Sequence, residues 1–202
     1  MTKPSISLDS FNRERELPFG LRVIDFQSSM QDIYDFLSDV NGALLARGLQ
    51  RLEDIMRPAA LSGLFSDMLT ASLAKHSRTL TENRYFNGHP DLIVQGQYAN
   101  DKVQSGAVDF GVEIKSTRRS GGAVDMHGAR EQWLAVFVYR ADGTTEPAVA
   151  REPTIFTEIY LQKVSVDDFR KNSRGELGTR TATLDAKGLS KLRQGWVYKP
   201  AN

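Results

Sequence analysis

Four consecutive residues, Val112, Glu113, Ile114 and Lys115, constrain this chain more than any others. They lie in a segment expected to be a strand, Val108 to Thr117, with an acid and a base two positions apart. Along a strand, residues i and i+2 point to the same face. Glu113 and Lys115 therefore emerge together, while Val112 and Ile114 turn toward a core. Pro90 and Asp91, ahead of them in the chain, open a second apolar run of Leu92, Ile93 and Val94. Antiparallel strands meeting here bring Asp91 near Glu113. Two carboxylates beside an ammonium can hold a divalent cation and polarise a water next to it. The bland alternative is a Glu113–Lys115 pair on an exposed edge strand, which is worth little energetically. The apolar flank and the basic Arg118 and Arg119 just beyond Lys115 argue against it.

The order of Pro90 and Asp91 followed by Glu113, Ile114 and Lys115 resembles the PD-(D/E)XK nuclease superfamily, and within it the type II restriction endonucleases. That resemblance implies an α/β fold (α+β mixed) with a restriction-endonuclease-like αβββαβ core, a mixed central sheet and a helical N-terminal third. It implies Mg²⁺, with Mn²⁺ able to substitute, held by Asp91, Glu113 and the backbone carbonyl of Ile114. Asp91, Glu113 and Lys115 are then the catalytic residues. Lys115 orients the attacking water or stabilises charge on the phosphate, a role favoured if burial lowers its pKa. Members often carry a further acid on a helix ahead of the PD strand. Asp67 and Glu53 are the candidates, and for each the plain reading is a solvated helix residue. Ser116, Thr117, Arg118 and Arg119 after the catalytic strand become candidates for DNA contact, as do Arg130 and Gln132 on the crossover helix. His89 is read as a structural turn histidine with no role. The implied activity is cleavage of a short specific sequence in double-stranded DNA. Cutting two strands calls for two active sites, hence a homodimer, for which the N-terminal helices are the natural surface. The rivals are a catalytically inactive DNA-binding or interaction protein on the same fold, and a repair or recombination nuclease.

Composition removes other classes. With no cysteine there are no disulfides, no thiolate-ligated metals and no cysteine nucleophile. His76, His89 and His127 are too far apart in the chain to form a metal motif, and no glycine loop suggests an NTPase. No apolar run reaches membrane-spanning length, and the N-terminus lacks the apolar core of a signal peptide; a cytoplasmic protein is expected. Net charge is only +1, but it is unevenly spread. Residues 1–69 hold seven Lys/Arg against ten Asp/Glu, residues 114–140 five against two, and residues 170–202 eight against two. Clustered basic segments are the footprint of a phosphate-binding face; for the last segment the alternative is a solvated tail.

Read in order, the 202 residues form one domain: a helical region over 28–80, a catalytic core over 84–164 and a basic region over 165–202. Residues 21–26 suggest a short strand. Met30, Ile33, Leu37, Val40 and Leu44 then follow helical spacing, with Ser29 as N-cap. Pro58 opens a second helix, striped by Leu61, Leu64, Phe65, Met68, Leu69 and Leu73. Strands are expected at 84–87, 91–98, 102–105 and 108–117. A helix over 125–133 leads to a strand over 134–139, the strand–helix–strand order of a parallel crossover. A strand over 155–164, a loop over 171–180, a brief strand over 181–184 and a helix capped by Asp185 complete the chain.

Overall fold

The computed structural model describes residues 3–126, 128–170 and 181–200. Three helices come first: α1 (Val23–Leu45), the single turn α2 (Leu52–Ile55) and α3 (Pro58–His76). Helix α1 starts well before Ser29, and residues 21–26 are its entry rather than a strand. The reason is a cap: the Asp25 carboxylate accepts the Arg22 backbone N–H at 2.8 Å. Phe26 then extends the Met30–Ile33–Leu37 stripe upstream, and all four side chains are buried. Ser29 is interior, its hydroxyl donating to the Asp25 carbonyl. Helix α3 begins at Pro58, where the missing N–H costs nothing.

The strands are β1 (Leu80–Glu82), β2 (Leu92–Val94), β3 (Gly111–Thr117), β4 (Asp125–Met126), β5 (Gln132–Arg140), β6 (Ile155–Val164), β7 (Ala182–Thr183) and β8 (Trp196–Tyr198), with α4 (Ala186–Gln194) before the last. Six of them form one mixed sheet in the order β1-β2-β3-β5-β6-β8. Only β3 and β5 run parallel; the other neighbours are antiparallel. Helices α1 and α3 cover one face. There Phe26, Met30, Phe65 and Leu69 pack on Ile114, Ala135, Phe137 and Phe156. The opposite face carries a smaller core of Val124, Leu134, Val136, Val138, Tyr160 and Leu192, closed by α4 and the β4–β7 ribbon. Among the described residues no helix is long and apolar enough to cross a membrane.

The expected crossover helix over 125–133 is absent. Asp125 and Met126 pair instead with Thr183 and Ala182, and Gly128 takes a φ of 100°, which helix cannot accommodate. Gln132 and Trp133 already belong to β5, whose alternating side chains fill both cores. Parallel pairing of β3 with β5 still demands a crossover; among the described residues it carries the short strand β4 instead of a helix. Elsewhere the strands are shorter than expected: residues 84–87 form a turn after β1, and 102–105 contribute only a single bridge, Ser105 with His89. Asp185 caps α4 as expected, accepting from Gly188 N at 2.8 Å. The expected loop over 171–180 lies outside the described residues.

Candidate active site

The site forms where β2 gives out. β2 pairs with β3 only at Leu92–Val112 and Ile93–Gly111, leaving the outer edge of β3 open beyond Val112. Side chains take over the ladder there. Asp91 Oδ2 accepts the Ile114 N–H at 2.8 Å, and Ser66 Oγ accepts the Ser116 N–H at 2.9 Å. The approach of the two strands depends on Gly111. A Cβ at that position would sit 2.2 Å from the Leu92 carbonyl oxygen and 2.5 Å from Pro90 Cγ. We expect Gly111→Ala to push Pro90 and Asp91 off β3 at a cost of about 1–3 kcal/mol. Thermal unfolding checks this: an unchanged midpoint would mean the strand edge yields freely.

On β3, Val112 and Ile114 face the α1–α3 core, and Glu113 and Lys115 emerge on the other face, in register with Leu134 and Val136. The Lys115 ammonium then meets three oxygens at once: Glu113 Oε1 at 2.5 Å, the Ile114 carbonyl at 3.1 Å and Asp91 Oδ2 at 3.6 Å. These belong to the same three residues expected to ligate a divalent cation, and they converge on one positive charge. Glu113 is 8% exposed. Its Oε2 lies 2.8 Å from His89 Nδ1, a short but poorly directed contact that leaves the buried oxygen without a well-formed hydrogen bond. A buried carboxylate oxygen with spare acceptor capacity, beside a second carboxylate and a carbonyl, fits a hard cation. Among the described residues no three His, Cys, Asp or Glu side chains group into a cage. Such an ion would rest on two carboxylates, one carbonyl and water, the sparse protein shell typical of Mg²⁺.

The electrostatics divide the two acids. Burial, then the neighbouring Glu113 charge, push Asp91 up to about 6. Burial also pulls on Glu113, but His89 and Lys115 outweigh it and hold this carboxyl down at about 2. Lys115 corrects an expectation. Burial does act to lower its pKa, yet Glu113 and Asp91 prevail and raise it. It stands as an ammonium, not as a poised base.

The remaining candidates fall into two groups. Lys115 opens onto a groove of about 680 Å³ between the first half of α3 and the segment after β3, lined by Ser66, Asp67, Thr117, Arg118 and Arg119 among others. Asp67 is exposed on that wall. Arg118 reaches the Ala141 carbonyl at 2.6 Å, and Arg119 lies 3.7 Å from Asp125. Glu53 is not brought to the carboxylates: Asn41, Thr154 and Arg51 hold it in a buried network behind α2. Ser116 is pinned to α3, its hydroxyl donating to the Ser62 carbonyl, because alternation turns it away from Lys115. Thr117 is buried, closing the following turn through Ala123 and Arg119. Arg130 is exposed in the crossover segment. Gln132 lies on β5, 2% exposed, and both its amide atoms lack partners among the described residues. It is sealed from solvent rather than displayed on a helix.

His89 is the residue that sequence reasoning left out. It stands two positions before Asp91, in a bend ahead of β2 where strand alternation does not apply, and its contact with Glu113 is made only by the fold. We expect His89→Gln to weaken divalent-cation binding about tenfold or more, as loss of a ligand's supporting partner does. Calorimetric titration with Mn²⁺ checks this, an unchanged affinity assigning His89 to the turn alone.

No family model, no characterised protein and no solved structure matches this chain.

Proposed function

We propose that the protein is a Mg²⁺-dependent DNA endonuclease, most closely of the type II restriction kind, with Mn²⁺ able to replace Mg²⁺. The observation that carries this reading is the convergence of Glu113, Ile114 O and Asp91 on a single cationic point. Bound Mg²⁺ supplies Lewis acidity and a water of lowered pKa at the phosphodiester. Asp91 and Glu113 hold it through their carboxylates and Ile114 through its carbonyl. Lys115 swings off these oxygens toward the groove. There its ammonium orients the attacking water and offsets negative charge growing on the phosphate. Arg118 and Arg119 line the path of the backbone and grip phosphates. The hydrolysis of both strands by one such site per chain calls for a two-fold homodimer.

A second reading rests on the same contacts. If Lys115 remains on the oxygens as a permanent counter-ion, the chain is a DNA-binding protein without activity. Incubation with mixed-sequence duplex DNA, with and without Mg²⁺, followed by sequencing of the ends, separates the two. Fragments with a common end, formed only with Mg²⁺, support the nuclease. Salt-sensitive binding without cleavage supports the silent binder, and the absence of both binding and cleavage rules out DNA as the partner.

A further inference from the structure

We infer that Phe86 is a stacking residue that inserts its ring against a nucleobase beside the cleavage position; this rests on the nuclease reading above. Single exposed apolar side chains are ordinary, so its 87% exposure alone means little. Three further observations give it meaning.

The first is rigidity. Phe86 tips the turn between β1 and Asp91, and Asn83 clamps that turn from inside. Its amide donates to the carbonyls of Pro90 and Val103, at 3.0 and 2.8 Å, and its oxygen accepts from the N–H groups of Tyr85 and Val103. Gly88 closes the turn back onto Tyr85 at 2.8 Å. A Cβ on Gly88 would lie 2.5 Å from the Asn83 amide nitrogen and 2.6 Å from the Val103 carbonyl. An apolar ring held out by fixed backbone loses little conformational freedom on binding.

The second observation is position. The turn runs directly into His89, which touches Glu113, and into Asp91, which touches Ile114. A substrate phosphate at the carboxylates brings its own bases within reach of the segment just upstream. The third is charge. Arg84 and Lys102 are exposed and adjoin this turn, the Arg84 N–H donating to the Asp101 carbonyl at 2.9 Å. An aromatic face flanked by cations matches a base with its phosphates. Tyr85, 41% exposed, adds a second ring next to it.

The test uses the duplex that the cleavage experiment identifies, with Ca²⁺ in place of Mg²⁺ so that binding is read without turnover. Because Phe86 supports nothing in the fold, its variants retain the native structure. We expect Phe86→Ala and Phe86→Leu to bind about tenfold more weakly or worse, in the range found for lost base stacking. Phe86→Trp should restore affinity, and its emission should be quenched by bound DNA. Wild-type affinity in both Phe86→Ala and Phe86→Leu, or an unquenched Phe86→Trp complex, overturns the wedge and leaves the nuclease standing. Failure of the wild-type protein to cut or bind any duplex removes the nuclease reading, and the wedge with it.

Discussion

We expect Asp91→Ala and Glu113→Ala each to abolish Mg²⁺-dependent cleavage while DNA binding persists. Removing either leaves the cation with one carboxylate. The expected loss exceeds the roughly hundred- to thousandfold that follows deletion of one electrostatic contact in other enzymes. Binding should hold or tighten, because a carboxylate facing phosphate repels it. The two acids should differ in their dependence on pH. Asp91, at about 6, takes up a proton as pH falls through that value, and a protonated carboxyl is a poor ligand. Glu113, at about 2, stays ionised over the same range. Cation affinity should therefore weaken as pH falls below about 6, and Asp91→Asn should flatten that dependence. Titrations on either side of that pH, with a gel-shift assay alongside, check both parts. Full activity in either alanine variant would contradict the assignment.

Lys115→Ala separates affinity from turnover. Its ammonium occupies the oxygens that the proposed cation would take, at 2.5 Å from Glu113 and 3.1 Å from the Ile114 carbonyl. Taking it away leaves two carboxylates facing each other without compensation, so the metal-free protein should lose stability and Mg²⁺ should restore it. The cation should bind more tightly than in wild type. Turnover should nonetheless fall about a hundred- to thousandfold, since the charge on the phosphate loses its nearest protein cation. Lys115→Arg should not rescue it: a planar fork cannot replace a compact ammonium in this small space. Single-turnover kinetics combined with calorimetry measure both quantities in the same variants. Weaker cation binding in Lys115→Ala would show that the ammonium supports the site instead of competing for it.

The acid–base pair of β3 was legible because it is local. Alternation along one strand assigns Glu113 and Lys115 to one face and Ile114 to the other, and the sheet keeps that assignment. The same alternation sends the Ser116 side chain to α3, where its hydroxyl donates to the Ser62 carbonyl at the wall of the groove. What could not be read is contact across distance. Nothing local reveals that Asp91 would bond the Ile114 N–H, that Glu53 would be absorbed by Asn41 and Thr154, or that His89 would meet Glu113. The helix expected over 125–133 failed for a related reason. Ala129, Arg130, Glu131 and Gln132 favour helix by themselves, but β5 recruits Gln132 and β4 is drawn to β7. Propensity over so short a run yields to pairing and burial. The start of α1 failed in the opposite direction, through a cap at Arg22 and Asp25 that carries none of the usual Ser, Thr or Asn signature.

The most direct test of the central claim is a crystal soaked in Mn²⁺ and read by anomalous scattering. One peak is expected, bonded to the carboxylates of Asp91 and Glu113 and to the Ile114 carbonyl, with the Lys115 ammonium moved off toward the groove. A Lys115 that stays on all three oxygens, with no peak between Asp91 and Glu113, would contradict it.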